Sequence, residues 1–386
     1  MTKLFILITS LAGGGAERVA SELSLHLNSN FQRRIVTLTN NISYTSNEDP
    51  ISMDLKLNSK SFFLSIYEFI QGVTKYRKLI KNNKPNVSLS FLVLDNIINI
   101  LSNIGNPKTK TIVSVHVSLS RKFNSHRLFP FIRVFIKILY NYADLVLAVS
   151  EGVKKEIIND FGIEEKKVKV VYNPVDINKI EKLSQEEIHD EKWFAEHIPI
   201  IINVGRLAKP KGQWHLIRSF SHVQKKVKCR LCIVGDGPLK SKLETLVHEL
   251  NLSDDVKFLG WKENPFKYIH KSSLFVLSSL SEALPYALIE AMACGCPVIS
   301  TDCKHGPREI LNGGHTGILI SPFDGRIYDS KDPLTLEEIE LGDKILSLLN
   351  DKKLRIYYSS KARERSKDFS VDKIIVDYEK IISNIY

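Results

Sequence analysis

No run in this 386-residue chain approaches the roughly 18 consecutive apolar residues of a membrane-spanning helix. The apolar LFILITSLA starting at Leu4 passes directly into Gly13-Gly14-Gly15, so it reads as a first buried strand, not a signal or an anchor. Cysteine is scarce. The five residues Cys229, Cys232, Cys294, Cys296 and Cys303 are odd in number and lack small-domain spacing, which speaks against a disulfide framework and fits a reducing cytoplasm. Cys229 and Cys232 fall in a predicted strand, where positions three apart face opposite sides, so no metal site is expected there. The glycine turn is not G-x-G-x-x-G, and RIVTLTNN (34–41) lacks the acidic residue that a dinucleotide ribose requires, which excludes a nicotinamide or flavin cofactor. No nucleic-acid-binding motif occurs either.

What is present is an ordinary globular composition, 43% hydrophobic and 25% charged, on a chain long enough for two domains of about 180–200 residues. Charge is unevenly placed. Residues 1–180 hold 24 Lys and Arg against 14 Asp and Glu, whereas the remainder is close to neutral, so the first half points to an anionic partner.

The stretch LSEALPYALIEAMACGCPVI (280–299) carries the sharpest signal. Pro285 suits a first helical position and Gly295 an exit, predicting a helix over 285–294 between strands SLFVLSS (273–279) and PVIST (297–301). Glu282 then sits in a strand-to-helix loop at the carboxyl edge of a parallel sheet, with Glu290 two turns into the helix. Helix amides suit a phosphate and carboxylates accept from sugar hydroxyls, so the pair suggests a nucleotide sugar; two solvated glutamates beside a core helix is the competing reading.

In chain order, KLFILITS (3–10) precedes the glycine turn and a helical AERVASELSLHL. Further strand–helix units follow: ISMDL (51–55) with 61–83, VSLSF (87–91) with 94–103, and TIVSVH (111–116) with 126–142. DLVLAVS (144–150) with 151–160 and VKVVYN (168–173) complete the first series. A second series runs through IPIIINVG (198–205), CRLCIVG (229–235), VKFLG (256–260), SLFVLSS and TGILI (316–320), and a helical tail begins near 334. Alternating strands and helices imply two doubly wound parallel sheets, and two such halves facing each other create a cleft. The expected division is 1–176, a charged connection 177–197, 198–365, and a last helix within 366–386.

His116 ends a strand on the carboxyl side, where it either hydrogen-bonds a sugar or caps its own loop. Arg206 and Lys211 in GRLAKPKG follow the first strand of the second series. Arginine offers a fixed fork and lysine a mobile charge, a combination suited to a diphosphate. GDGP (235–238) is a further glycine turn at that edge. Arg121, Lys122, Arg127, Arg133 and Lys137 are interleaved with aromatic residues in 121–142, and Lys75, Arg77, Lys78, Lys81 and Lys84 cluster at the end of the helix 61–83. Such a pattern suits an anionic membrane surface or, equally, a solvated basic helix face.

Taken together, GGGAER, His116, NPVD, VGRL with KG, VGDGP, and E-x7-E followed by GCPVIST resemble the retaining glycosyltransferases of family four, which have the GT-B fold. The resemblance spans about residues 3–320. It implies that Glu290 binds ribose hydroxyls, Arg206 and Lys211 the diphosphate, and Glu282 the transferred sugar. By the same resemblance, His116 and the Gly14-Gly15 turn line sugar and phosphate, and Trp261 and Asn264 meet the nucleobase. Many members carry Phe-Gly where this chain has Leu284-Pro285, so the phosphate-facing amides are assigned to Tyr286 and Ala287. The Leu-Pro subset points to lipid-linked or surface-polysaccharide acceptors, such as those of lipopolysaccharide assembly. No D-x-D occurs, consistent with metal-free transfer without a cofactor. The expected protein moves a hexose or N-acetylhexosamine from a UDP-sugar, at the inner face of the membrane. A non-catalytic GT-B partner subunit and a sugar-nucleotide epimerase of the same architecture are the competing classes.

Overall fold

The structure is a computed structural model that describes residues 1–57, 62–123 and 128–385. Two compact units account for it: residues 1–174 with 371–386, and residues 175–370.

The first unit opens with β1 (Thr2–Ile8), α1 (Gly15–His26), β2 (Phe31–Thr37), β3 (Ile51–Ser52) and α2 (Phe62–Asn83). It continues through β4 (Val87–Ser90), α3 (Val93–Asn103), β5 (Lys110–Val115), α4 (Leu119–Phe123), α5 (Phe129–Tyr142), β6 (Leu145–Ala148), α6 (Glu151–Asn159) and β7 (Val168–Val170). All strand pairs among the described residues are parallel, in the order β3-β2-β1-β4-β5-β6-β7. Such strands are covered on both faces, which is why β1 and β4 read as unbroken apolar or small runs and are almost wholly buried. Phe5, Leu7, Val36, Tyr76, Ile80 and Ile98 form one core cluster.

The second unit contains α7 (Ile177–Ser184), β8 (Ile200–Val204), α8 (Gln213–Gln224), β9 (Arg230–Val234), α9 (Lys240–Glu249), β10 (Val256–Gly260), α10 (Phe266–Lys271) and β11 (Leu274–Leu277). There follow α11 (Tyr286–Ala293), β12 (Val298–Thr301), α12 (Pro307–Ile310), β13 (Ile318–Ile320), α13 (Leu336–Asn350) and α14 (Lys352–Ser366). Its parallel sheet runs β10-β9-β8-β11-β12-β13. The tract 177–197, expected as a connection, is instead integral to this unit. Ile177 and Ile180 are buried, and Asp190 and Glu191 bind Tyr268, Lys262 and Lys257. Its density of charge reads as solvated in sequence, but Asp190 and Glu191 find cation and hydroxyl partners on β10, α10 and the loop between them.

In each sheet the chain fills one side and then the other, so the strand order reverses between β1 and β4 and again between β8 and β11. Ligands of open α/β sheets bind beyond the strand carboxyl ends at such a switch point. The last helix, α15 (Val371–Ser383), belongs to the first unit, where it packs on α1 with Ile374, Ile375, Tyr378 and Ile382 buried.

Candidate active site

At the switch point of the second unit, the loops after β8 and β11 are stitched together. Gly212 has φ 59° and caps α8, and a Cβ there would meet the carbonyl of Ser278 at 2.3 Å, so only glycine permits the approach. Ser278 Oγ donates to the Lys211 carbonyl at 2.9 Å, and Leu280 N to that of Pro210 at 2.8 Å. This seam delivers Lys211 Nζ to Glu282 Oε1 at 2.6 Å, where Ser279 Oγ donates to the same oxygen at 2.6 Å. Both residues are candidates in the sequence with separate roles, seventy-one positions apart, and the fold brings them into contact. Ser279 escaped notice, because a serine ending a strand carries no signal by itself.

Arg206 is exposed in the loop after β8, with its carbonyl accepting from Gln213 Nε2 at 3.1 Å. GDGP turns out to buttress that loop: Leu207 N donates to the Asp236 carbonyl at 2.9 Å, and a Cβ on Gly235 (φ 137°) would lie 2.1 Å from the Gly205 carbonyl. Pro285 is the N-cap of α11, with φ −71° and ψ 110°, not the first helical residue. The extended ψ moves the helix start to Tyr286. Tyr286 and Ala287, both half-buried, therefore occupy the first turn of α11. Glu290 lies on the same helix and is 8% exposed; Gly295, with φ 71°, follows the C-cap Cys294.

In the loop after β10, Trp261 is 74% exposed. Asn264 is engaged within the fold: Nδ2 donates to the Leu183 carbonyl at 2.9 Å and to Glu186 Oε2 at 2.8 Å, while Oδ1 accepts from Phe266 N at 3.0 Å.

The first unit has its own pair across the switch point. Thr9, the residue after β1, donates through N to Asp95 Oδ2 at 3.0 Å and through Oγ1 to Asp95 Oδ1 at 2.6 Å. Asp95 is fully buried in the first turn of α3, and burial outweighs the Thr9 bonds to push its carboxyl up to about 7. Gly13 (φ 114°) and the N-cap Gly14 turn the chain into α1 at Gly15. A Cβ on Gly14 would meet Glu17 Oε2 at 2.3 Å, so the first-turn carboxylate lies over this helix start.

His116 follows β5, half-buried, with Nε2 at 2.9 Å from Ser114 Oγ and its ring 5.2 Å from that of Phe91. Desolvation lowers its imidazole to about 3, which keeps the ring neutral and able to accept as well as donate. Asp95, Thr9 and Ser114 went unnoticed in the sequence. The available clue was an acid inside the apolar run VLDNIINI.

The outer face of α5 is unusual for a helix over a sheet. Ile136, Leu139 and Tyr140 are buried, yet Phe131, Val134, Phe135, Ile138 and Tyr142 are exposed at 49–74% alongside exposed Arg133 and Lys137. Arg127 and the expected helix residues 61, 126 and 127 lie outside the described residues. Of the second basic cluster, Lys75 donates to the Met53 carbonyl and Arg77 to those of Leu101 and Ser102, so two of the five cations are held by their own chain. No described helix is long and apolar enough to cross a membrane.

Comparison with known proteins completes this picture. Residues 13–179 match the family model described as Glycosyltransferase Family 4, and 184–365 that described as Glycosyl transferases group 1. An uncharacterized glycosyltransferase of Methanocaldococcus jannaschii is 36% identical over 353 residues, covering 84% of this chain and 86% of the relative. N-acetylgalactosamine-N,N'-diacetylbacillosaminyl-diphospho-undecaprenol 4-alpha-N-acetylgalactosaminyltransferase of Campylobacter jejuni is 32% identical over 384 residues, covering 99% of this chain and 100% of the relative. In fold the chain is similar to the lipopolysaccharide outer core galactosyltransferase WaaB, at TM-score 0.76 and 21% identity over the full length of both chains. It is likewise similar to Anabaena HepE solved with UDP and glucose, at TM-score 0.77 and 18% identity, again over both full lengths. Matched in both halves and similar along most of its length to other glycosyltransferases, the chain belongs to the family 4, group 1 glycosyltransferases, with their GT-B fold.

Proposed function

We propose that the protein is a retaining transferase that moves a hexose or N-acetylhexosamine from UDP to a hydroxyl of a lipid-linked saccharide, without a metal ion. The observation that carries this is the Lys211–Glu282 pair at the β8/β11 switch point, beside the N-terminus of α11. Lys211 and Arg206 provide charge for a diphosphate, the Tyr286 and Ala287 amides add donors, Glu290 takes the ribose, and Trp261 offers its face to the base. Glu282 is the carboxylate for the transferred sugar, and His116 and the Gly14-Gly15 turn are assigned to the same sugar.

The chemistry follows from where charge develops. As the bond from the anomeric carbon to the phosphate oxygen breaks, negative charge grows on the leaving diphosphate, and fixed cations stabilise it more than the ground state. The acceptor oxygen bonds to the anomeric carbon on the same face, and its proton passes to the departing phosphate oxygen. Neither glutamate is needed as a covalent nucleophile. The names of the Campylobacter relative, which acts on a diphospho-undecaprenol-linked saccharide, and of HepE, solved with UDP and glucose, support the classes of acceptor and donor.

Such an acceptor lies at a membrane, and the exposed apolar face of α5 is suited to it. Its large side chains can enter the headgroup boundary of an anionic cytoplasmic leaflet while Arg133 and Lys137 engage phosphate. A pocket of about 380 Å³ lined by Phe129, Pro130, Val134 and Phe161 lies against the same helix.

A thermal-shift and turnover screen of the full chain across UDP-sugars tests the donor assignment. One sugar nucleotide should stabilise the protein and release UDP, with release accelerated by a lipid-linked saccharide. Absence of any UDP-sugar response would reject it. Interconversion of free sugar nucleotides without transfer would revive the epimerase class, which no observed feature favours.

A further inference from the structure

Two loops of the first unit, the one leading to the glycine turn and the one that begins at His116, are held by consecutive residues of one helix turn. Asp95 accepts from Thr9 N and Oγ1, and so fixes the chain four residues before the Gly13 turn. The next residue, Asn96, is 1% exposed and faces the other way along the sheet edge. Its Nδ2 donates to the Ser114 carbonyl at 2.9 Å and to Tyr140 Oη at 3.1 Å, while Oδ1 accepts from Ser90 Oγ at 2.8 Å. Ser114, fully buried, then presents its hydroxyl to His116 Nε2.

Behind this turn the polar contacts continue along α3. Asn99 Nδ2 donates to the Ser88 carbonyl, to Ser90 Oγ and to the Ile112 carbonyl, and Ser88 Oγ, itself bonded to Tyr76 Oη, donates to Asn99 Oδ1. Asn103 Nδ2 closes the row on Asn99. A helix meant only to cover a sheet would bury Leu or Ile at these positions. Buried amides cost free energy unless satisfied, and when satisfied they select one register of helix against strands, because sliding by one residue would orphan every bond.

We infer that the first turn of α3 is a brace for the reaction: Asp95, through Thr9, sets the start of the glycine turn, and Asn96, through Ser114, sets the ring orientation of His116. Asp95, Asn96 and Ser114 are thus positioning residues for sugar transfer, none touching substrate. The inference rests on the reading that His116 and the glycine turn bear on the transferred sugar.

Its test separates sugar chemistry from nucleotide binding. In the full chain, with the best UDP-sugar of the screen as probe, Ser114→Ala should lower turnover by ~10-fold or more, since small misplacements of a reacting geometry cost up to ~10²-fold. UDP affinity, measured by calorimetry, should stay within about twofold of wild type, because the cations assigned to the diphosphate, Arg206 and Lys211, lie in the second unit. Thr9→Val, which keeps the main-chain bond to Asp95 and removes only the hydroxyl one, should show the same split without the folding risk of Asp95→Ala. Asp95→Asn should retain most activity, because an amide can accept from Thr9 N and donate to Thr9 Oγ1.

Two outcomes overturn the brace and tell its failure apart from that of the site. Wild-type turnover in Ser114→Ala and Thr9→Val, with His116→Ala impaired, would leave the site reading standing and reject the brace. Wild-type turnover in His116→Ala as well would reject both. Equal losses of turnover and UDP affinity would mark a general destabilisation and likewise reject the brace.

Discussion

The two units solve the same geometric problem with opposite chemistry. Each has a parallel sheet whose strand order reverses once, and at each reversal a side chain from one loop bonds a carboxylate from the other: Thr9 with Asp95, Lys211 with Glu282. In the first unit the partner is a neutral hydroxyl and the carboxyl is fully buried; in the second it is an ammonium 27% exposed to solvent. A sealed pair can only hold loops in place, whereas a cation at the surface can change partner when an anion arrives. The switch point therefore dictates where two loops meet, and the residues across it decide whether their pair is fixed or free to exchange.

The sharpest way to break this contrast is to remove charge from the second unit. Lys211→Ala and Arg206→Ala should each lower turnover by at least about a hundredfold, the typical effect of losing one preorganised donor, ~2.7–4 kcal/mol of barrier. Circular dichroism and melting temperature should remain near wild type, since both residues are at least partly exposed. Turnover that survives in both variants would remove the phosphate role from the second unit and end the contrast.

A smaller effect belongs to the outer face of the first unit. Each basic residue near an anionic leaflet contributes about 1 kcal/mol, so neutralising Arg121, Lys122, Arg133 and Lys137 should weaken binding to phosphatidylserine-containing vesicles by roughly two orders of magnitude or more. Binding should also fall steeply between low and moderate salt. Phe131→Ser with Phe135→Ser should reduce what remains at high salt, because it removes the apolar share. Sedimentation with vesicles that is indifferent to all six changes would make α5 an ordinary solvated helix.

The sealed pair makes a subtler prediction about pH. The folded carboxyl of Asp95 titrates near 7, above its unfolded value of 3.8, so the folded state holds an extra proton between these limits. Stability from this group is fully present below about pH 4 and is lost as pH rises towards 7, at a slope of up to ~1.4 kcal/mol per pH unit. Asp95→Asn should lack this component. Comparing unfolding midpoints of the two proteins from pH 4 to 8 checks it, and parallel curves would mean that the pair is not sealed. The smallest expected effect is that of chelator: if Arg206 and Lys211 take the diphosphate as proposed, excess EDTA should leave turnover unchanged. Restoration of lost activity by added magnesium or manganese would contradict this.

Much of the architecture could be read from sequence because buried parallel strands are written as contiguous apolar runs. The runs at 3–10, 198–205 and 273–279 all contain strands. Lys211 and Glu282 stood out because a charge just past a buried strand is costly unless used. Strand order is another matter. Nothing local in Thr9 or in VLDNIINI says that β1 lies beside β4, so a pair eighty-six positions apart stays invisible until the sheet is assembled. Periodicity also misleads where polar groups are buried: Asn96, Asn99 and Asn103, spaced three and four apart, look like a solvent-facing stripe, yet all are buried, Asn96 and Asn99 bonding the strands and Asn103 bonding Asn99. The tract 177–197 reads as a connection for the converse reason, since Asp190 and Glu191 look solvated in sequence and are paired within the second unit.

The return of α15 to the first unit has a consequence for how the protein is made. Synthesis proceeds from the N-terminus, so residues 1–174 leave the ribosome long before the helix that covers α1 exists, and the whole second unit must be translated in between. Until then the surface that Ile374, Ile375, Tyr378 and Ile382 will cover is open, and the Asn28 amide lacks the Glu379 carboxylate that accepts from it at 2.8 Å. The nascent first unit is therefore an unfinished body awaiting its last piece. A peptide of residues 371–385 supplied in trans should dock on it and protect it from proteolysis, making the order of translation, and not only the final fold, part of how this enzyme reaches its native state.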